Sequence, residues 1–133
     1  MSTRSAIGYI TPIGHVTAVY CHAEGQPEHQ LPILLRKYKS KPRVKALLKP
    51  GSISSLETDQ FWDSDTVREP QPLYHQERGD GPWNKDGATP YSQPPRTSTS
   101  LDDAKALWKR RGCEHLYLLR PGYGWQHYPL NRV

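Results

Sequence analysis

The sequence predicts an α+β fold, a small antiparallel sheet built from N- and C-terminal hairpins and packed against two or three helices. Three observations predict it. Residues of high β-propensity flank turn-forming dipeptides near both ends of the chain. Apolar residues at helical spacing mark three segments between those ends. Six of the 13 prolines fall between Pro70 and Pro95, which makes that stretch a long Pro-rich loop. The 133 residues are expected to form one domain, 1–133, with a loop-rich insertion over about residues 57–99.

The first strand runs from Ser5 to Ile10, and Thr11-Pro12-Ile13-Gly14 supplies turn chemistry: Pro12 presets φ and Gly14 closes the turn. From His15 to His22 the residues alternate, with Val16, Ala18, Tyr20 and His22 on one side and Thr17, Val19 and Cys21 on the other. Leu31, Leu34, Leu35 and Tyr38 then form a helical stripe, whose helix starts at Pro27 or Pro32. A second helix spans about Pro42 to Lys49, with Ser40 near its cap and Pro50-Gly51 as its stop. Leu73 to Glu77 is compatible with one strand. Ser100-Leu101-Asp102-Asp103 resembles a capping box, opening a helix that Gly112 ends. Cys113–Arg120, the Pro121-Gly122 turn and Trp125–Tyr128 make the closing hairpin. The helices carrying Leu34, Leu35, Leu47 and Leu107 are expected on one face of the sheet.

Composition excludes several classes. Mean hydropathy is −0.82, and no apolar run approaches the roughly 20 residues of a membrane-spanning helix. Two cysteines, Cys21 and Cys113, cannot make a disulfide scaffold. Met1 to Tyr9 is too short and mixed for a signal-peptide apolar region. The expectation is a protein of a reducing cytoplasm with no membrane partner.

The opening Met1-Ser2-Thr3-Arg4-Ser5 and the segment Val19-Tyr20-Cys21-His22-Ala23-Glu24-Gly25-Gln26-Pro27 stand out. So do Gly51-Ser52-Ile53-Ser54-Ser55-Leu56 and His75-Gln76-Glu77-Arg78-Gly79. On these residues the chain resembles small phage and prophage accessory proteins with an MSTR start and a YCH-x-D-G-x-P segment, departing from them at Glu24, where they carry Asp, and in the basic stretch after Leu35. The resemblance covers roughly the first 80 residues. It implies a phage accessory gene expressed in the cytoplasm of a bacterial host, and a protein acting on that host, its antiviral defences included.

Charge is segregated. Arg36, Lys37, Lys39, Lys41, Arg43, Lys45 and Lys49 form a block with no acid. It reads as a surface for phosphates or acidic groups, or as the solvated face of two helices. From Glu57 to Glu69 five acids meet one cation, Arg68. That block, with Phe61 and Trp62 among its acids, would mimic nucleic acid, bind a basic partner or fold back on the first. Arg78 and Trp83 extend the candidate binding set, and Tyr74, Tyr91, Tyr123 and Trp125 are further aromatics for stacking or for covering a thin core.

Catalytic patterns are weaker. His22-Ala23-Glu24 lacks the P-C-x-x-C partner of a zinc deaminase, and no paired zinc spacing exists. His22, Glu24, His75 and Glu77 together are the set from which a small metal-dependent nuclease would be built. Neither Gly79-Asp80-Gly81 nor Gly122-Tyr123-Gly124 has the strand–loop–helix context of a nucleotide fingerprint. The leading expectation is a non-enzymatic protein that binds, and so inhibits, a host protein or defence complex. No cofactor or metal is expected for it. Binding of nucleic acid or of a sequestered nucleotide is the alternative, and the nuclease a second one.

Overall fold

The computed structural model describes residues 3–58, 71–74 and 94–130. Among these residues seven strands and three helices follow in the order β1 (Ser5–Ile10), β2 (Val16–Ala23), α1 (Pro27–Lys37), α2 (Lys41–Leu48), β3 (Ile53–Thr58), β4 (Gln71–Tyr74), β5 (Arg96–Ser98), α3 (Leu101–Arg110), β6 (His115–Arg120) and β7 (Gly124–Pro129). The class is α+β.

The strands join in the order β4-β3-β2-β1-β6-β7. Antiparallel pairing links β1 to β2, with Ile7 opposite Val19, and β6 to β7, with Tyr117 opposite His127. The sheet as a whole is mixed, which corrects the antiparallel expectation. β1 runs parallel to β6, pairing Ser5 with His115, and β2 runs parallel to β3, pairing Cys21 with Ile53. Parallel neighbours require long crossover connections, and the helices lie within those connections. One edge of β2 is divided: its first half pairs with β5 and its second with β3.

Both faces of the sheet are covered, which corrects the one-sided expectation. Ile7, Val19, Cys21, Tyr117 and Leu119 pack with Ile33 and Leu34 of α1 and with Val44, Leu47 and Leu48 of α2. Ala6, Ala18, Tyr20, Leu116 and Leu118 point the other way and pack with Ala104 and Trp108 of α3. The alternation of adjacent residues between two clusters is the strand period of two, with both phases buried. Each fully buried Leu or Ile contributes about 1.5–3 kcal/mol.

Local chemistry sets the element ends. The Gly14 amide donates to the Thr11 carbonyl at 2.9 Å, and Gly14 takes φ +91°. Pro27 occupies the start of α1, where its missing N–H costs nothing, and Pro32 lies inside the helix. The buried stripe of α1 is Gln30, Ile33 and Leu34, displaced by one residue from the apolar stripe in the sequence. Leu35 consequently stays 55% exposed. At α3 the Ser100 side chain accepts from the Asp103 amide at 3.1 Å. At its other end Gly112 adopts φ +87°, while the Cys113 amide donates to Trp108 and the Gly112 amide to Lys109. That pair of bonds satisfies carbonyls the helix leaves open. β3 and β5, together with β4, fall in or beside the stretch expected to be loop.

Candidate functional site

α1 and α2 carry five of the seven cations of the basic block, with Lys39 in the joint between them and Lys49 capping the end of α2. Arg36, Lys39, Arg43, Lys45 and Lys49 are exposed, and Lys37 and Lys41 half-buried. Arg36 and Lys37 close α1, where cations suit the helix dipole. α2 is different. Lys41 and Arg43 lie in its first turn, no acid accompanies them, and the Ser40 side chain makes no capping bond. Cations there face the positive end of the dipole, an unfavourable placement.

Lys41, Lys45 and Lys49 recur every four residues, so they project from one side of α2 at about 6 Å intervals along its axis. Beside them lies the half-buried ring of Tyr9, with Lys41 Nζ 5.1 Å from its centroid. Tyr9, Thr17, Lys45, Leu48, Lys49 and Pro95 line a cleft of about 320 Å³. Among the described residues, no carboxylate pairs with Lys39, Lys41, Arg43, Lys45 or Lys49. The Arg43 guanidinium reaches the Lys37 carbonyl at 3.5 Å, across the joint between the two helices.

A second cleft, of about 630 Å³, opens on the far side of Pro95 between β5 and α3. Arg96 stands on one wall and Arg110 on the other, with Thr97, Ser98 and Thr99 also in the lining. Both guanidiniums also act on Arg111, whose pKa is lowered by burial first and by the Arg96 and Arg110 charges after it. Thr97 is fixed to β2 by a 3.0 Å contact between its hydroxyl and that of Thr17.

The nuclease set is not assembled by the described residues. His22 Nδ1 lies 2.9 Å from the Tyr20 hydroxyl, while Glu24 faces His29 Nδ1 at 3.5 Å. Glu24 adopts φ 56°, a left-handed conformation that Asp and Asn tolerate better than Glu. His75, Glu77, Arg78, Trp83 and Tyr91 lie outside the described residues, as do Asp59 to Glu69 of the acidic block. Among the described residues no group of three His, Cys, Asp or Glu is placed to hold a metal ion. Of the remaining aromatics, Tyr74 donates its hydroxyl to the Leu47 carbonyl at 2.6 Å, and Trp125 donates its indole N–H to the Tyr38 carbonyl at 2.7 Å. Tyr123 is 74% exposed, with the Arg120 guanidinium 4.9 Å from its ring centroid.

Sequence reasoning missed a polar cluster under the start of α1. Gln30 Nε2 donates to Ser5 Oγ at 3.0 Å, and both side chains are fully buried. The Cys21 thiol beside them is pushed up to about 11 by burial. His115 Nδ1 sits 2.8 Å from His127 Nε2, and the His127 ring stacks 5.0 Å from that of Tyr117. Burial lowers the pKa of both imidazoles. The hairpin around Pro121-Gly122 carried the signal, because its register places His127 against Tyr117 and two positions along from His115, on the same face of the sheet.

Comparison of the chain with protein-family models, curated proteins and solved structures gave no match.

Proposed function

We propose that the chain is a non-enzymatic binding protein, a phage accessory factor that grips an acidic surface of a host bacterial protein through the cationic side of α1 and α2. One observation carries this reading. Lys41 and Arg43 open α2 against its dipole, with no acid or side-chain cap to compensate. An arrangement that disfavours the free helix is relieved when an anionic surface covers it. The resemblance to phage and prophage accessory proteins supplies the bacterial setting.

A second reading, a nucleic acid as the anion, is favoured by the Tyr9 ring lying within the lysine-lined cleft. Base-binding surfaces combine a cationic track with aromatic faces in this way.

The test is capture of partners from host lysate with the wild-type chain and with Lys41→Glu/Lys45→Glu, each with and without nuclease. The proposal expects a protein partner retained after nuclease and lost in the variant. Capture abolished by nuclease moves the function to the second reading. Undiminished capture by the variant rejects the cationic surface, and metal-dependent cleavage of DNA or RNA by the purified chain rejects a purely binding role.

A further inference from the structure

We propose that the cleft between β5 and α3 is a binding site for a free nucleotide, its phosphates held between Arg96 and Arg110. This site is separate from the α2 lysine cleft, and the inference does not rest on the reading of that surface.

The lining matches the two halves of such a ligand. Arg96 on the strand and Arg110 on the helix approach the space from two sides. Guanidiniums bind phosphate oxygens through paired, charge-assisted hydrogen bonds. Ser98, on the same strand, adds a neutral hydroxyl to the lining. Pro94, Pro95 and Leu107 contribute apolar surface, on which a flat base can lie. Asp103 lines the same cleft, its Oδ2 accepting from the Thr99 hydroxyl at 3.2 Å. A carboxylate fixed there suits a ribose hydroxyl or an exocyclic amine and would repel a phosphate, so it gives the ligand a direction.

Size and charge discriminate further. A space of about 630 Å³ exceeds what an inorganic anion fills and falls in the range of small-molecule sites. Arg96 and Arg110 both disfavour the charged form of Arg111, so the three guanidiniums share one neighbourhood. Among the described residues none of the three pairs with a carboxylate. A bound diphosphate would offset that mutual repulsion.

Titration calorimetry with ADP, inorganic pyrophosphate and adenosine tests the site. ADP is expected to bind more tightly than either fragment. Arg96→Ala and Arg110→Ala should each weaken ADP binding by about 10- to 100-fold. Lys45→Glu, in the other cleft, should leave it within about twofold. Arg110 is exposed on α3 away from its buried face, so its variant keeps the fold even if a change in β5 does not. Several results overturn the proposal: no ADP binding at millimolar concentration, pyrophosphate binding as tightly as ADP, full binding retained by Arg110→Ala, or loss in Lys45→Glu alone.

Discussion

The Tyr117 hydroxyl donates to the Gly25 carbonyl at 2.5 Å, although the two residues stand 92 positions apart. The bond fastens the loop before α1 to the centre of the sheet. Burial pushes the Tyr117 hydroxyl well above the usual phenol range, so it remains a donor throughout the working pH range.

Tyr117→Phe leaves a buried carbonyl without this partner. The expected cost is about 1–3 kcal/mol, the price of an unsatisfied buried acceptor. Urea unfolding measures it. A midpoint equal to wild type would show that the Gly25 carbonyl has another route to a donor.

Gly25→Ala tests the same loop by shape. A Cβ there would lie 2.6 Å from the Ser5 side chain and 2.8 Å from the Thr3 carbonyl oxygen. Backbone cannot yield cheaply, so a loss of about 1–3 kcal/mol is expected, the usual range for overpacking. Thermal unfolding of the variant next to wild type gives the answer.

The His115–His127 pair predicts acid sensitivity. Their 2.8 Å contact needs one imidazole nitrogen unprotonated. Burial is the main cause of depression in both; Glu114 and Glu28 oppose it at His115, while the His115 charge adds to it at His127. With folded values below the unfolded 6.5, the unfolded chain takes up protons first. Their contribution to stability is therefore complete above about pH 6.5 and is lost as pH falls through the folded values. Urea midpoints at pH 7.5 and 5 should drop for wild type and drop less for His127→Gln. Equal drops in both proteins would remove the pair from the explanation.

Lys45→Glu should stabilise the free protein. Lys45 sits one turn from Lys41 and one from Lys49, and like charges at that spacing repel. Reversal turns two repulsive pairs into attractive ones, and placing an acid in the last turn of α2 offsets part of this, leaving an expected gain of about 0.5 kcal/mol at low salt that fades as salt rises. Stability gained where binding is lost would separate the two roles of the lysine row. A destabilised variant would mean that Lys45 supports the fold.

Elements governed by their own residues were legible in the sequence. Ser100 and Gly112 bracket α3 by chemistry confined to one turn at each end. β5 was not legible: it is three residues long, largely exposed, and depends on Val16–Ala18 of a distant strand. β3 likewise depends on Cys21 and Ala23 for its parallel partner. The orientation of α1 escaped because Gln30 turns inward to reach Ser5, and a hydropathy pattern assigns a glutamine to solvent. Which sheet face each helix covers depends on the path of its crossover, and residue spacing carries no record of that path. The basic row was readable as exposed charge. The β5–α3 cleft was not, because Arg96 and Arg110 come together only once β5 docks on β2.

β1 lies inside the sheet, with β2 on one side and β6 on the other. During synthesis β2 emerges at once, but β6 follows only after α3. At roughly 5–20 residues per second the gap between Ser5 and its partner His115 lasts on the order of 5–20 s. Throughout that interval one side of the nascent hairpin is an open template for any passing strand. The polypeptide is thus most vulnerable to misassociation on the ribosome, and its yield in a cell depends on how quickly translation delivers the final hairpin.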